Sequence, residues 1–144
     1  MADPSISAMS DELINAYRQT HYHVFTNDPI TLKVGEINHA LIKLYDQYEV
    51  KQCAFITAYN PYSSKTTLDD NQDRQRRLKA VIQTLNLDFI EGEGKHPDGQ
   101  WEGEPSFFVL GIEREWADSM AKTFEQNAYI WTDSYGRAHL RILR

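Results

Sequence analysis

Ten side chains between Asn60 and Asn127 carry the groups in this chain best suited to chemistry. Glu91, Glu93 and Glu104 are candidate catalytic carboxylates, because acids whose environments separate their pKa values can divide the work of acid and base. The same set could hold Mg²⁺, which takes a few carboxylates plus water. Arg74 offers a planar fork for an anionic or carbonyl group. Asn60, Asn71, Ser106, Gln126 and Asn127 could orient a small polar ligand, and Trp101 could stack on a planar one. These residues fall at the edges of the apolar runs Ala54–Tyr59, Leu78–Leu85, Phe107–Ile112 and Tyr129–Trp131.

The elements that must position them follow from periodicity. Cys53–Tyr59 is a nearly continuous apolar run, as in a strand covered on both faces, and Asn60-Pro61-Tyr62-Ser63-Ser64 ends it with turn chemistry. Thr67 caps a helix with Leu78, Val81, Ile82 and Leu85 on its core side. Phe89 opens a second strand, and His96-Pro97-Asp98-Gly99 is a hairpin connection to a third strand, Ser106–Ile112. Glu113–Glu125 reads as a helix with Trp116, Met120 and Phe124 on one side, followed by strands from Tyr129 and over Ala138–Leu143.

Upstream, Met1–Met9 reads as a loose terminus, and residues 10–144 as a single α+β domain. Ser10 caps a first helix, two strands meet through Asn27-Asp28-Pro29, and Ile37–Tyr48 recurs at helical spacing. The expected fold is therefore a ferredoxin-like split β-α-β core, with a mostly antiparallel sheet and a helix/strand/strand/helix extension at its N-terminus. Alternating chain direction in that pattern delivers all the candidate edges to one end of the sheet. Asn71 and Arg74 lie seven and four residues before Leu78, on the sheet-facing stripe. A guanidinium there needs a partner, and Glu91, Glu93 or Glu104 is the expected one.

Other motifs weigh less. Glu91-Gly92-Glu93-Gly94 follows the opening of a strand but precedes no helix and carries two negative charges, which argues against a phosphate loop. His21 and His23 share a strand face without a further ligand, so no metal site is assigned. His96 reads as turn surface and Cys53 as a core thiol, while Ser106 lacks a nucleophile elbow. Trp101, Trp116 and Trp131 default to packing. Arg137, Arg141 and Arg144 are not interleaved with an aromatic sheet surface of the RNA-binding kind.

The bulk properties are those of an ordinary soluble protein. With 144 residues and a net charge of −6, the chain is long enough for one core and too acidic for nucleic acid as its main partner. A single cysteine fits a reducing compartment, and no apolar run reaches membrane-spanning length, so a cytoplasmic setting without a membrane partner is expected. Neither a cofactor nor an oligomeric state follows from the sequence.

The blocks "AFITAYNPYS", "EGEGKHPDGQWEGEPSFFVLGI" and "FEQNAYIW" resemble a bacterial family known only as domain of unknown function 3293. The resemblance runs from the Tyr17 helix to the final strands and implies a small, stand-alone bacterial protein, with no established reaction attached. The family's wording includes an Asn and an Arg in the helix after "TAYNP", here Asn71 and Arg74, and a Glu-Pro-Ser start to the third strand, here Glu104-Pro105-Ser106. It has a glycine before Gln-Asn where this chain has Glu125. Two functional readings stand. The first is a pocket for a nucleotide-like or other polar metabolite at one end of the sheet. The second is a non-catalytic regulatory or protein-interaction module, with the polar rim merely satisfying its own backbone.

Overall fold

The computed structural model describes residues 9–99 and 102–144; most of the expected loose terminus and Trp101 lie outside them. The elements, in chain order, are α1 (Asp11–Gln19), β1 (His21–Val24), β2 (Ile30–Leu32), α2 (His39–Tyr48), β3 (Cys53–Ile56), α3 (Leu68–Thr84), β4 (Phe89–Lys95), β5 (Glu104–Leu110), α4 (Arg114–Thr123), β6 (Ala128–Thr132) and β7 (Ala138–Ile142), with a 3-10 turn at Pro61–Ser63 between β3 and α3. Local chemistry sets their starts. Ser10, Asn38 and Thr67 each cap a helix by accepting a backbone N–H, from Leu13, Leu41 and Asp70 respectively.

All strands join one seven-stranded sheet of order β2-β1-β4-β5-β3-β6-β7, and every neighbouring pair is antiparallel. The architecture is α+β with the N-terminal helix and strand elements in place. The shape differs from a flat ferredoxin-like sheet: the strands curl into a half-barrel. The chain after β2, one edge of the sheet, crosses to β7, the other edge. There Gly35 N–H donates to the Ala138 carbonyl (2.8 Å), Ala138 N–H to that of Glu36 (3.2 Å), and Asn38 N–H to that of Gly136 (2.9 Å). Sheet twist brings the two edges close enough for this strap to span them.

Two cores follow, one on each face. Inside the curl, α2 places Leu41, Leu44 and Tyr45 against Tyr22, Val24, Leu32, Phe55, Phe108 and Ile130. Outside, α3 and α4 lay Leu78, Ile82, Ala117, Met120 and Phe124 over Ile56, Phe107, Val109 and Tyr129. Trp116 departs from its expected place: the buried stripe of α4 and its C-cap is Ala117, Met120, Ala121 and Phe124, and Trp116 lies one position off it, 58% exposed. Cys53 is buried in β3, and burial pushes its thiol pKa up to about 12, as suits a core residue rather than a nucleophile. Among the described residues, no helix is long and apolar enough to cross a membrane.

Candidate functional site

Strand alternation decides which candidates meet. Opposed residues of an antiparallel pair point to the same face, and successive residues to opposite faces. Ile90 opposes Phe108, and both pack inside the curl; Gly92 then opposes Ser106 and Gly94 opposes Glu104, so these four share the inner face. Glu91 and Glu93 oppose Phe107 and Pro105 on the outer face. The expected convergence of three carboxylates is thus corrected: Glu104 faces the concave side alone, with Glu91 and Glu93 behind the sheet. Among the described residues, no group of three His, Cys, Asp or Glu could hold a metal ion. The Glu-Gly-Glu-Gly run is likewise not a loop after a strand but part of β4, its glycines turned inward and its glutamates outward. Gly92 is required there, because a Cβ would collide with the His23 carbonyl and come within 2.9 Å of the Phe55 ring.

The inner face of β3 continues past Phe55 through Thr57 to Tyr59. Helix α2 covers only part of the concavity, and the remainder is a cleft of about 1010 Å³. Thr57, Tyr59, Glu104 and Ser106 line it from the sheet, Tyr17 and Leu13 from α1, and Asn60, Ser63 and Thr66 from the loop after β3. Asn71 and Gln126 also reach it, whereas Arg74, Asn127, Glu91 and Glu93 do not.

The loop is strongly shaped. Asn60, Tyr62 and Ser63 all have positive φ, at 49°, 51° and 62°, which is costly for residues with a Cβ and needs surrounding contacts to hold it. Those contacts centre on Asn60. Its backbone N–H donates to Asn71 Oδ1 (2.8 Å), while its Oδ1 accepts from Thr66 N–H (3.2 Å) and Asn71 Nδ2 (3.0 Å). Its remaining group, Nδ2, donates to Glu104 Oε2 at 2.7 Å. Asn71 is only 5% exposed, so the pair of amides forms a fixed bracket.

Glu104 is half-buried, and burial raises its pKa against the opposing hydrogen bond from Asn60. Burial raises the pKa of Tyr17 and Tyr59 as well, and the Glu104 charge adds to the effect on both phenols. Ser106, 3% exposed, donates its hydroxyl to the Glu104 carbonyl (2.9 Å) and has no histidine partner among the described residues, which leaves it without a nucleophile's machinery. The rim is tied down by further bonds. The hydroxyls of Tyr17 and Ser63 lie 2.9 Å apart, Asn127 Nδ2 donates to Ser63 Oγ (2.8 Å), and Gln126 Nε2 donates to the Tyr59 carbonyl (3.1 Å).

Arg74 has a different partner from those expected. Its Nε donates to the Ala58 carbonyl (2.8 Å), one terminal nitrogen to the Phe124 carbonyl, and the other meets Glu125 at 3.2 Å. Glu104 is on the other face and Glu91 and Glu93 are further along β4, so none of them is the partner. Glu125 is the residue standing where the family wording has glycine, and its φ of 58° accounts for that wording. His96, expected as turn surface, is 3% exposed beneath its hairpin, with Asp98 N–H donating to its Nδ1 (3.2 Å).

Sequence reasoning missed Tyr17, Tyr22, Thr57, Tyr59 and Gln75. Thr57 and Tyr59 were legible by alternation from Phe55. Gln75 lies beside Arg74 and bridges the Ala58 N–H (2.9 Å) to the Pro105 carbonyl (3.0 Å), which no spacing rule would have indicated.

The sequence model of a family described as protein of unknown function (DUF3293) matches residues 56–129, just over half of the chain, and the chain belongs to that family. The matched segment runs from the last residue of β3 into β6 and contains the ten candidate side chains from Asn60 to Asn127, while the cleft walls from Leu13, Tyr17 and Tyr22 lie outside it. It is shorter than the extent suggested by the resemblance alone. No curated protein and no solved structure matches the chain.

Proposed function

We propose that this DUF3293 chain is a bacterial cytoplasmic protein that binds a small polar metabolite, nucleotide-like in size, in the cleft of its half-barrel. One observation supports this above the others: the concave face carries an apolar core under α2 and then, along the same strand rows, changes to Thr57, Tyr59, Glu104 and Ser106 around open space. Ligand sites are commonly concave spaces of this size, with largely apolar or aromatic walls and a few fixed polar groups. The bracket of Asn60 and Asn71 supplies those fixed groups. Arg74 drops out of the ligand role and becomes the brace behind the loop.

The test is a thermal-shift screen against nucleotides and polar metabolites, with any hit mapped by amide chemical shifts. The reading expects stabilisation, shifts confined to residues around Tyr59, Glu104 and Ser106, and loss of the effect in Tyr59→Ala. Shifts that map to another surface, or no stabilising compound, would count against it.

The second reading, a regulatory or protein-interaction module, takes Trp116 of α4, 58% exposed, as its candidate contact. Trp116→Ala would then weaken self-association or partner capture without altering ligand-induced stabilisation.

A further inference from the structure

We infer that the ligand presents a nitrogen donor (an amine, amidine or exocyclic amino group) to Glu104, which receives it at the floor of the cleft. This rests on the reading of the cleft as a ligand site and names the chemistry of that ligand. Two other partly enclosed charged groups in this protein have partners. The Arg74 guanidinium is fully engaged by two carbonyls and Glu125, and Asp118 takes a two-pronged bond from Arg141, at 2.9 and 2.6 Å. Glu104 differs: among the described residues no Lys, Arg or His pairs with it, and only Asn60 bonds its carboxylate. A carboxylate partly withdrawn from water without a cation loses hydration, and a cationic or N–H-rich partner offsets that loss.

Geometry favours recognition over accident. Asn60 holds one carboxylate oxygen, Oε2, and its own other polar groups are all engaged, so the carboxylate is oriented before any ligand arrives. Among the described residues no buried side-chain oxygen lacks a hydrogen bond, which places the second oxygen, without a protein donor, within reach of the cleft. Tyr17, Tyr22, Phe55 and Tyr59 line the same space, and aromatic faces attract cations. Gly94, opposite Glu104 in the sheet, adds no side chain there. An anion at the floor would meet Glu104 directly. Lys65 and Lys95 line the cleft from exposed positions, where an acidic group on the same ligand would be received.

The experiment titrates the whole protein with ring-matched probes, benzamidine, benzylamine, benzyl alcohol and benzoate, at millimolar concentrations and follows amide chemical shifts. The expected result is that benzamidine and benzylamine shift the cleft resonances and the other two do not. In Glu104→Gln, benzamidine affinity should fall at least about tenfold, the loss typical of one charge-assisted contact. A melting temperature no lower than that of the parent would show that Glu104→Gln folds. Asn60→Gly, which removes the orienting amide at a left-handed position that glycine tolerates, provides a second variant and should also weaken benzamidine. Equal binding of benzoate, unchanged benzamidine affinity in Glu104→Gln, or silence from all four probes would each overturn the inference. A metabolite without a nitrogen donor that still binds the cleft would sink this inference alone and leave the ligand-site reading standing.

Discussion

Arg74, on α3, meets Glu125 at 3.2 Å beside the junction of two loops, and the glutamate does so from a left-handed backbone with φ of 58°. The pair ties the chain leaving β3 to the chain entering β6. Arg74 also binds the carbonyls of Ala58 and Phe124, one from each side of that junction.

Arg74→Ala should therefore destabilise the fold, by about 2–3 kcal/mol, the scale of losing charge-assisted hydrogen bonds to enclosed carbonyls. Urea unfolding should show a lower midpoint with an unchanged slope. Arg74→Lys should recover little, because a single ammonium cannot reach three divergent acceptors.

Glu125 separates backbone cost from ion-pair gain. Glu125→Ala keeps the unfavourable φ and loses the pair, whereas Glu125→Gly loses the pair and relieves the backbone. The glycine variant should be the more stable of the two by about 1 kcal/mol, the penalty for a Cβ in the left-handed region. Thermal melts of the two variants side by side would check this.

Glu104 predicts a pH effect of a definite sign. Its folded-state pKa lies above the ordinary value of 4.5 because burial disfavours the charge. The folded state then holds the proton where the unfolded state has lost it, so stability falls as pH rises from about 4.5 through the raised value. Tyr17, Tyr22 and Tyr59 face it as neutral phenols in this range, with Lys65, Lys95 and Glu102 at the rim. Glu104→Gln should remove this decline and melt higher than the parent at neutral pH. The difference between the two melting curves across pH is the measurement.

Gly92→Ala should be severe. The added methyl would strike the His23 carbonyl across the β1–β4 pair, and backbone has less room to move than a side chain. A loss of about 3 kcal/mol, at the upper end for overpacking, is expected. Gly94→Ala would meet only the Tyr22 and Thr20 side chains at 3.6 Å or more and should cost far less. Comparative unfolding of the two variants would separate steric clash from strand propensity.

Much of this was legible in the chain. The apolar runs locate the strands, though β5 begins two residues before the expected Ser106 and β6 one before Tyr129; Ser10 and Thr67 announce their helices, and helical phase puts Asn71 and Arg74 toward the sheet. Asn60, Asn71, Glu104, Ser106 and Gln126, which chain direction gathers toward one end, line one cleft. What failed was face. Glu91 and Glu93 were placed by proximity to an end, when period-two alternation from Phe89 already turned them to the outer side. The partner of Arg74 depends on a left-handed turn at Glu125; the glycine of the family wording signals the turn, but not which side chain it brings to Arg74. The walls from Tyr17 and Tyr22 depended on how the N-terminal elements wrap the sheet, which requires contacts between residues far apart in sequence.

The strap from Gly35 to Asn38 joins the two margins of the sheet through residues far apart in sequence, as in the bond from Arg137 to the Gly35 carbonyl across 102 positions. Such long-range closure is entropically expensive to reach and comes late in folding. During synthesis the strap after β2 must wait, without its partners, until the β6–β7 hairpin leaves the ribosome. The hollow that would receive a metabolite is therefore enclosed by a sheet whose margins join only after β7 has been made.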